Sequence, residues 1–287
     1  MESLQIGIRL HDVNAALSSE KQTMEARAAT AREEGFRCVH LALQKVIRGV
    51  TFDSAALTEG LAWQIRHVFD AQGLDIAVLG CYLNLATPDE EQLREFQARY
   101  VAHMRVASLC GACLVGTETG APNVSYRLDA NTHSDAALKT FLYNLEPVME
   151  AAEHYGVSFA IEPVWNHIVY DAGRALEVLR SIGSSNLRII FDPVNLLSFE
   201  NADDREAVIS DAMEKLCDHI ALVHLKDFVR QEGKLISVAA GDGEMDFRSI
   251  LRFLKARKPF IQATLENTTN ENAVRSREWI QRLYQEA

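Results

Sequence analysis

Apolar positions in this chain follow two rhythms. Short runs dense in Val, Ile, Leu and Ala recur at 5–12, 38–43, 76–85, 113–119, 157–164, 187–194, 220–228 and 260–267. Runs this short and this apolar predict buried strands. Longer stretches lie between them, with apolar residues recurring every three to four positions, and these predict amphipathic helices. One covers 20–35, carries Met24, Ala28 and Ala31, and ends at Gly35, a residue suited to a helix C-cap. Others cover 54–72, 89–109, 134–155, 171–182, 203–218, 246–255 and 271–286. Each strand-plus-helix unit takes roughly 36 residues, a comfortable length for a βα repeat.

Strands buried on both faces and alternating with helices predict a parallel sheet. No Gly-rich dinucleotide fingerprint follows any strand, which favours a closed barrel over a doubly wound open sheet. No linker or shift in composition interrupts the pattern. The expectation is an α/β chain forming a single (β/α)8 TIM barrel over 1–287. Its longest insertions, near 117–133 and 228–246, follow strands, the side on which such barrels keep their active sites.

Four of the late runs each end in a group that can bind a metal or move a proton. These are Glu162 in VSFAIEPVWNH, Asp192 in LRIIFDPVN, His224 in IALVHLKD and Glu266 in FIQATLEN. They fall one βα unit apart, so a barrel brings them to one mouth. Two glutamates, an aspartate and a histidine form a hard-to-borderline ligand set. It suits one divalent ion, Mn, Mg, Co or Zn, with coordination positions left for water or substrate.

Composition narrows the partners. The formal charge of −11 argues against phosphate-backbone binding, so no nucleic-acid partner is expected. No apolar run approaches the ~20 residues of a membrane span, and the chain opens on a strand-like run rather than a signal peptide, so a cytoplasmic protein is expected. Five cysteines, mostly within apolar segments, suit a reducing compartment. Cys110 and Cys113 have redox spacing but lie between a helix and the following strand. A redox pair opens a helix instead, where the helix N-terminus lowers the thiol pKa.

On these motifs the chain resembles the xylose-isomerase-like barrels of the sugar phosphate isomerases and epimerases. That group includes ketose 3-epimerases, hydroxypyruvate isomerase and inosose dehydratase. The matching segments are Ile161-Glu162, Phe191-Asp192-Pro193-Val194-Asn195, His224-Leu225-Lys226-Asp227, the acidic run from Gly241 to Phe247, and Leu265-Glu266-Asn267. The resemblance implies that Glu162, Asp192, His224 and Glu266 bind one metal. It also implies that Glu162 and Glu266 are the catalytic pair, one removing a proton from carbon and the other returning it through an enediolate. Return to the neighbouring carbon makes an isomerase, return to the other face an epimerase. The implied substrate is a small sugar, sugar acid or sugar phosphate, and a homo-oligomer accords with the same resemblance. Ketose 3-epimerases are expected to carry a histidine three residues after the metal aspartate. Here that residue is Asn195, which separates the chain from that branch.

Other residues are read as substrate contacts: His167 and Trp165 in the loop after Glu162, Asn195, Lys226, Arg230 as an anion contact, and His11 at the rim. Glu118 ends the fourth run and is expected to face the cavity, Asp227 to orient a ligand, and His40 to be a satisfied core histidine. Two alternatives stay open: a metal-dependent lyase of the inosose dehydratase type, and a barrel that binds sugar without turnover. Abasic-site endonucleases share this barrel type, but they need more ligand histidines and a basic surface.

Overall fold

A computed structural model describes residues 3–14 and 22–287. The first two residues of the helix expected over 20–35 lie outside these. Eight parallel strands close a barrel: β1 (Gln5–Arg9), β2 (Cys38–Leu41), β3 (Asp75–Gly80), β4 (Leu114–Glu118), β5 (Ser158–Glu162), β6 (Leu187–Phe191), β7 (Ile220–Gln231) and β9 (Gln262–Leu265). Closure is made by β9, which pairs β7 through His224↔Thr264 and β1 through Ile6↔Ala263.

The helices are α1 (Met24–Glu33), α2 (Leu43–Val46), α3 (Glu59–Gln72), α4 (Glu90–Cys110), α5 (Asp135–Tyr155), α6 (Ala172–Ile182), α7 (Arg205–Leu216), α8 (Arg248–Arg257) and α9 (Ala273–Glu286). Their ends are set locally. Thr58, Asp89, Ser134 and Asp171 each accept a backbone N–H of the first turn, satisfying donors that the helix itself cannot. Each long helix α3 to α6 then stops at a left-handed glycine, as at Gly156 with φ 65°.

The apolar material forms two bodies. The larger fills the layer between the strands and the helices. A smaller one, including Val78, Leu114, Ala160, Ile190 and Leu222, plugs the barrel interior. Gly116 sits against this plug, where an added Cβ would meet Ile190 Cδ1 at 2.6 Å.

Two expectations are corrected. The 5–12 run is not one strand: β1 stops at Arg9, and Leu10–Asp12 turn as a 3-10 helix. The insertion near 228–246 holds a ninth strand beyond the eight expected. β7 runs on past the barrel and folds back as an antiparallel strand, β8 (Lys234–Ala239). Glu232 (φ 51°) and Gly233 (φ 73°) form the connecting turn, both left-handed, as a two-residue hairpin of matching twist requires.

Candidate active site

The mouth gathers the four side chains singled out by the strand-end pattern. Glu162 ends β5, Asp192 follows β6, His224 lies within β7 and Glu266 follows β9. All four are buried. The Nδ1 atom of His224 is the common centre, 3.3 Å from Glu162 Oε1, 3.4 Å from Glu266 Oε1 and 3.7 Å from Asp192 Oδ2. Ligands held ~2.1 Å from a central ion at tetrahedral corners stand ~3.4 Å apart. The spacing and the chemistry of the donors therefore fit a small divalent ion. Ligand atoms of Glu162, Asp192 and His224 lie within 4.8 Å of one another, as do those of His40, His224 and Glu266.

Local structure aims each group. Asp192 Oδ1 accepts the backbone N–H groups of Val194 and Asn195, a turn that the DPVN segment builds and that leaves Oδ2 facing the centre. The same turn directs Asn195, whose Nδ2 donates to Glu162 Oε1 at 2.6 Å. Lys226 stands two residues beyond His224 on the same strand face. Its Nζ lies 2.8 Å from Asp192 Oδ2 and 3.3 Å from Glu266 Oε2. Arg9, at the end of β1, grips Asp12 through Nε and Nη2 and points Nη1 at Glu266 Oε2 from 3.7 Å.

Burial and crowding set the charges. Burial lowers the His224 imidazole, but Glu266, Glu162 and Asp192 outweigh it and hold the group up at about 9. Burial would raise the Glu266 carboxyl, yet His224, Lys226, Arg9 and His40 hold it well below the usual carboxylate range. Asp192 moves the other way, to about 6, because burial and its carboxylate neighbours outweigh Lys226. Burial likewise works against the Lys226 ammonium, but Asp192, Glu266 and Glu162 keep it charged. Glu118, which sits beside Glu162 in the β4–β5 register, is pushed up to about 8 by burial and by that neighbour.

Arg9, Glu162 and Glu266 open onto a cavity of about 550 Å3, with Asp192 and His224 buried behind its wall. His11, Asn195 and Lys226 line it, as the sequence suggested, and so does Glu118. His167 stands behind Glu118, its Nδ1 3.8 Å from Glu118 Oε2, and burial pushes its imidazole down to about 4. Trp165 is not brought to the cavity: it is 37% exposed and lines two outer grooves, one with Tyr170 and Leu196, the other with Phe199 and Leu235. Nor is Arg230, whose guanidinium pairs with Asp203 and Glu244 on the outside of the hairpin. Asp227 orients a loop rather than a ligand. Its carboxylate accepts the N–H groups of Phe228, Gly241 and Met245, and Gly243 packs so closely that a Cβ would stand 2.4 Å from Asp227 Oδ1.

His40 is the clearest correction. It is buried, but not as a bystander in the core. Its ring stacks on His224 with centroids 5.3 Å apart and lines the cavity. Burial and the neighbouring His224 push its pKa well down, so the ring is neutral. Sequence reasoning missed Arg9 and Tyr82 as well. The strand-end rule finds Arg9 once β1 stops there, and β-register sets Arg9 beside His40. Tyr82 lies two residues past β3, within a run read as continuous strand. As for the Cys110 and Cys113 thiols, burial raises both pKa values, the reverse of what a redox pair needs.

Comparison with known proteins agrees with the barrel fold. Residues 28–283 match the family model of the xylose isomerase-like TIM barrel. A probable L-ribulose-5-phosphate 3-epimerase, UlaE, of Mycoplasma pneumoniae is 24% identical over 158 residues, covering 54% of this chain and 49% of that protein. The chain spans about half the length of the curated relatives it matches. Among solved structures, a D-tagatose 3-epimerase-like protein superposes with TM-score 0.75 at 18% identity, covering 99% of this chain and 97% of that one. The IolI protein with a bound zinc atom gives 0.71 at 14% identity, covering 99% of each chain. At such identities these structures attest to a shared fold. No helix among the described residues is long and apolar enough to cross a membrane.

Proposed function

The chain belongs to the xylose isomerase-like TIM-barrel family, and from that premise we propose that it is a divalent-metal-dependent isomerase or epimerase of a small sugar, sugar acid or sugar phosphate. The observation that carries the reading is the set of three carboxylates around His224 Nδ1. Glu162, Asp192, His224 and Glu266 would hold the ion. A bound divalent ion supplies charge that steadies a developing oxyanion on the substrate.

The rest is done by the chain. Glu162 and Glu266 enter the cavity from strands β5 and β9, across the barrel mouth from one another. One takes the proton from the carbon beside the carbonyl and the other returns it. The cations around Glu266 keep it ionised, the form in which a carboxylate accepts a proton. Asn195 holds one Glu162 oxygen, Oε1, and leaves Oε2 free of that bond. Lys226 offers a buried ammonium to a substrate oxygen.

One observation favours a second reading, a lyase of the dehydratase type. Glu118 opens onto the cavity and, at about 8, is an acid at neutral pH, the form needed to protonate a departing hydroxyl. Incubation of the metal-loaded protein with a panel of ketoses and aldoses in D2O separates the two. Solvent deuterium at carbon with retention of all hydroxyls supports isomerase or epimerase. An unsaturated or diketo product absorbing in the ultraviolet supports the lyase. Failure both to exchange any carbon-bound hydrogen and to form such a product sinks both.

A further inference from the structure

We propose that the Tyr82 hydroxyl, held by His40, is a further catalytic group of this cavity, serving the substrate's oxygens while Glu162 and Glu266 serve its carbons. The inference rests on the isomerase reading above and narrows it to aldose–ketose interconversion.

Tyr82 lines the same cavity as Glu118, Glu162 and Glu266. Its Oη lies 3.0 Å from His40 Nε2. The other ring nitrogen, Nδ1, is 3.8 Å from Glu266 Oε1, too far for a hydrogen bond, and finds no other partner among the described residues. An N–H on Nδ1 meets no acceptor within hydrogen-bond distance among the described residues, whereas an N–H on Nε2 meets Tyr82 Oη. A buried N–H without an acceptor is among the costliest polar groups to leave unpaired, whereas a bare lone pair costs less. The proton therefore belongs on Nε2, and His40 donates to Tyr82. That assignment leaves the tyrosine's own O–H free to point into the cavity, with one lone pair free to accept.

The arrangement depends on a gap in the wall. Gly80 lies beneath the pair, and a Cβ there would stand 2.7 Å from His40 Nε2 and 2.8 Å from Tyr82 Cε2. The stacking of His40 on His224, tilted by only 15°, fixes the imidazole plane. Tyr82 is thus held through its hydroxyl by a ring that stacks on His224.

Aldose–ketose interconversion moves two protons. One passes from carbon to the adjacent carbon, the work of the glutamates. The other leaves the hydroxyl oxygen that becomes the carbonyl and reaches the oxygen that was the carbonyl. Tyr82 Oη can take the first oxygen's proton while giving its own to the second. One O–H bond breaks and one forms on the substrate, the tyrosine ends as it began, and no oxidant or reductant takes part. Epimerisation at a carbon beside a carbonyl transfers no net proton between oxygens and does not need this group.

The test combines a substrate-free measurement with an assay. In 15N-labelled protein, His40 should show a protonated Nε2 and a bare Nδ1, and the opposite tautomer would overturn the proposal. With the metal-loaded protein and a panel of aldose–ketose pairs, Tyr82→Phe should lower kcat by ~100-fold or more, the scale of a lost acid–base group, with KM within about threefold and metal content unchanged. His40→Gln keeps an N–H in reach of Tyr82 and should retain more activity than His40→Leu, which should resemble Tyr82→Phe. A Tyr82→Phe protein with kcat within threefold of wild type overturns this inference alone. A wild-type protein that exchanges no carbon-bound hydrogen overturns the isomerase reading and takes this inference with it.

Discussion

Asn195 donates to Glu162 Oε1 at 2.6 Å, and that same oxygen stands 3.3 Å from His224 Nδ1. The residue that sets this chain apart from the 3-epimerase pattern is therefore not idle; it fixes the rotamer of a proposed catalytic glutamate. Asn195→Ala should leave that oxygen one donor short. A lost hydrogen bond to a charged group is worth ~1.5–3 kcal/mol, so kcat should fall by about tenfold or more while the barrel stays folded by circular dichroism. An unchanged kcat would show that the bond is incidental.

Metal binding should release protons. His224 at about 9 carries a proton at neutral pH, and an ion needs the bare nitrogen. Binding at pH 7 should therefore release about one proton, with affinity climbing roughly tenfold per pH unit toward 9. Below pH 6 the protonation of Asp192 adds to the loss. Calorimetry in two buffers of different ionisation enthalpy counts the protons. A count of zero at pH 7 argues against His224 as a ligand.

Stability of the chelated protein should fall as pH rises. His224 and Glu118 both have folded pKa values raised above their ordinary ones, about 9 against 6.5 and about 8 against 4.5. In each case the folded state holds a proton that the unfolded state has released, so stability is lost as pH climbs through the folded value. Glu266, held low, acts in the opposite sense, but only on the acid side. Urea unfolding at pH 6 and pH 8.5 should show the decline. Glu118→Gln should flatten it, and a mutant with the wild-type slope would assign the decline elsewhere.

Lys226 and Arg230 should part company. Lys226→Met leaves Asp192 and Glu266 without their buried ammonium, a break that costs ~3–5 kcal/mol at such sites. It should lower both kcat and the chelated protein's melting temperature. Arg230→Ala removes only outward-facing pairs with Asp203 and Glu244 and should leave kcat within twofold. Comparable losses in both would return Arg230 to the site.

Asp227→Ala should uncouple the hairpin from the mouth. Three backbone N–H groups lose their acceptor at once. Orphaned buried donors cost ~1–3 kcal/mol each, so the melting temperature should drop by several degrees and amide exchange around 241–245 should quicken. Slow exchange there would mean that the hairpin holds the loop without Asp227.

The barrel itself was legible from periodicity, because burial on both faces makes each strand an apolar run and each helix a 3.6-residue rhythm. So were Glu162, Asp192, His224 and Glu266, since a polar group closing an apolar run has one obvious place to point. The sequence by itself determined how often the chain turns inward and which residues stand at the strand ends near the mouth. It did not determine where β1 stops, and so hid Arg9. It gave no sign that Lys234–Ala239 pair back on β7, a choice settled by the left-handed turn at Glu232 and Gly233. Arg230 and Trp165 read as site residues because they follow reactive strands, yet hairpin twist and loop path carry them outside. His40 read as core because it is apolar on both sides; only closure of β9 against β7 brings its ring onto His224. Strand register and side-chain direction are properties of neighbours distant in sequence, so contacts across the mouth, and the tautomer and charge they impose, were decided by tertiary structure alone.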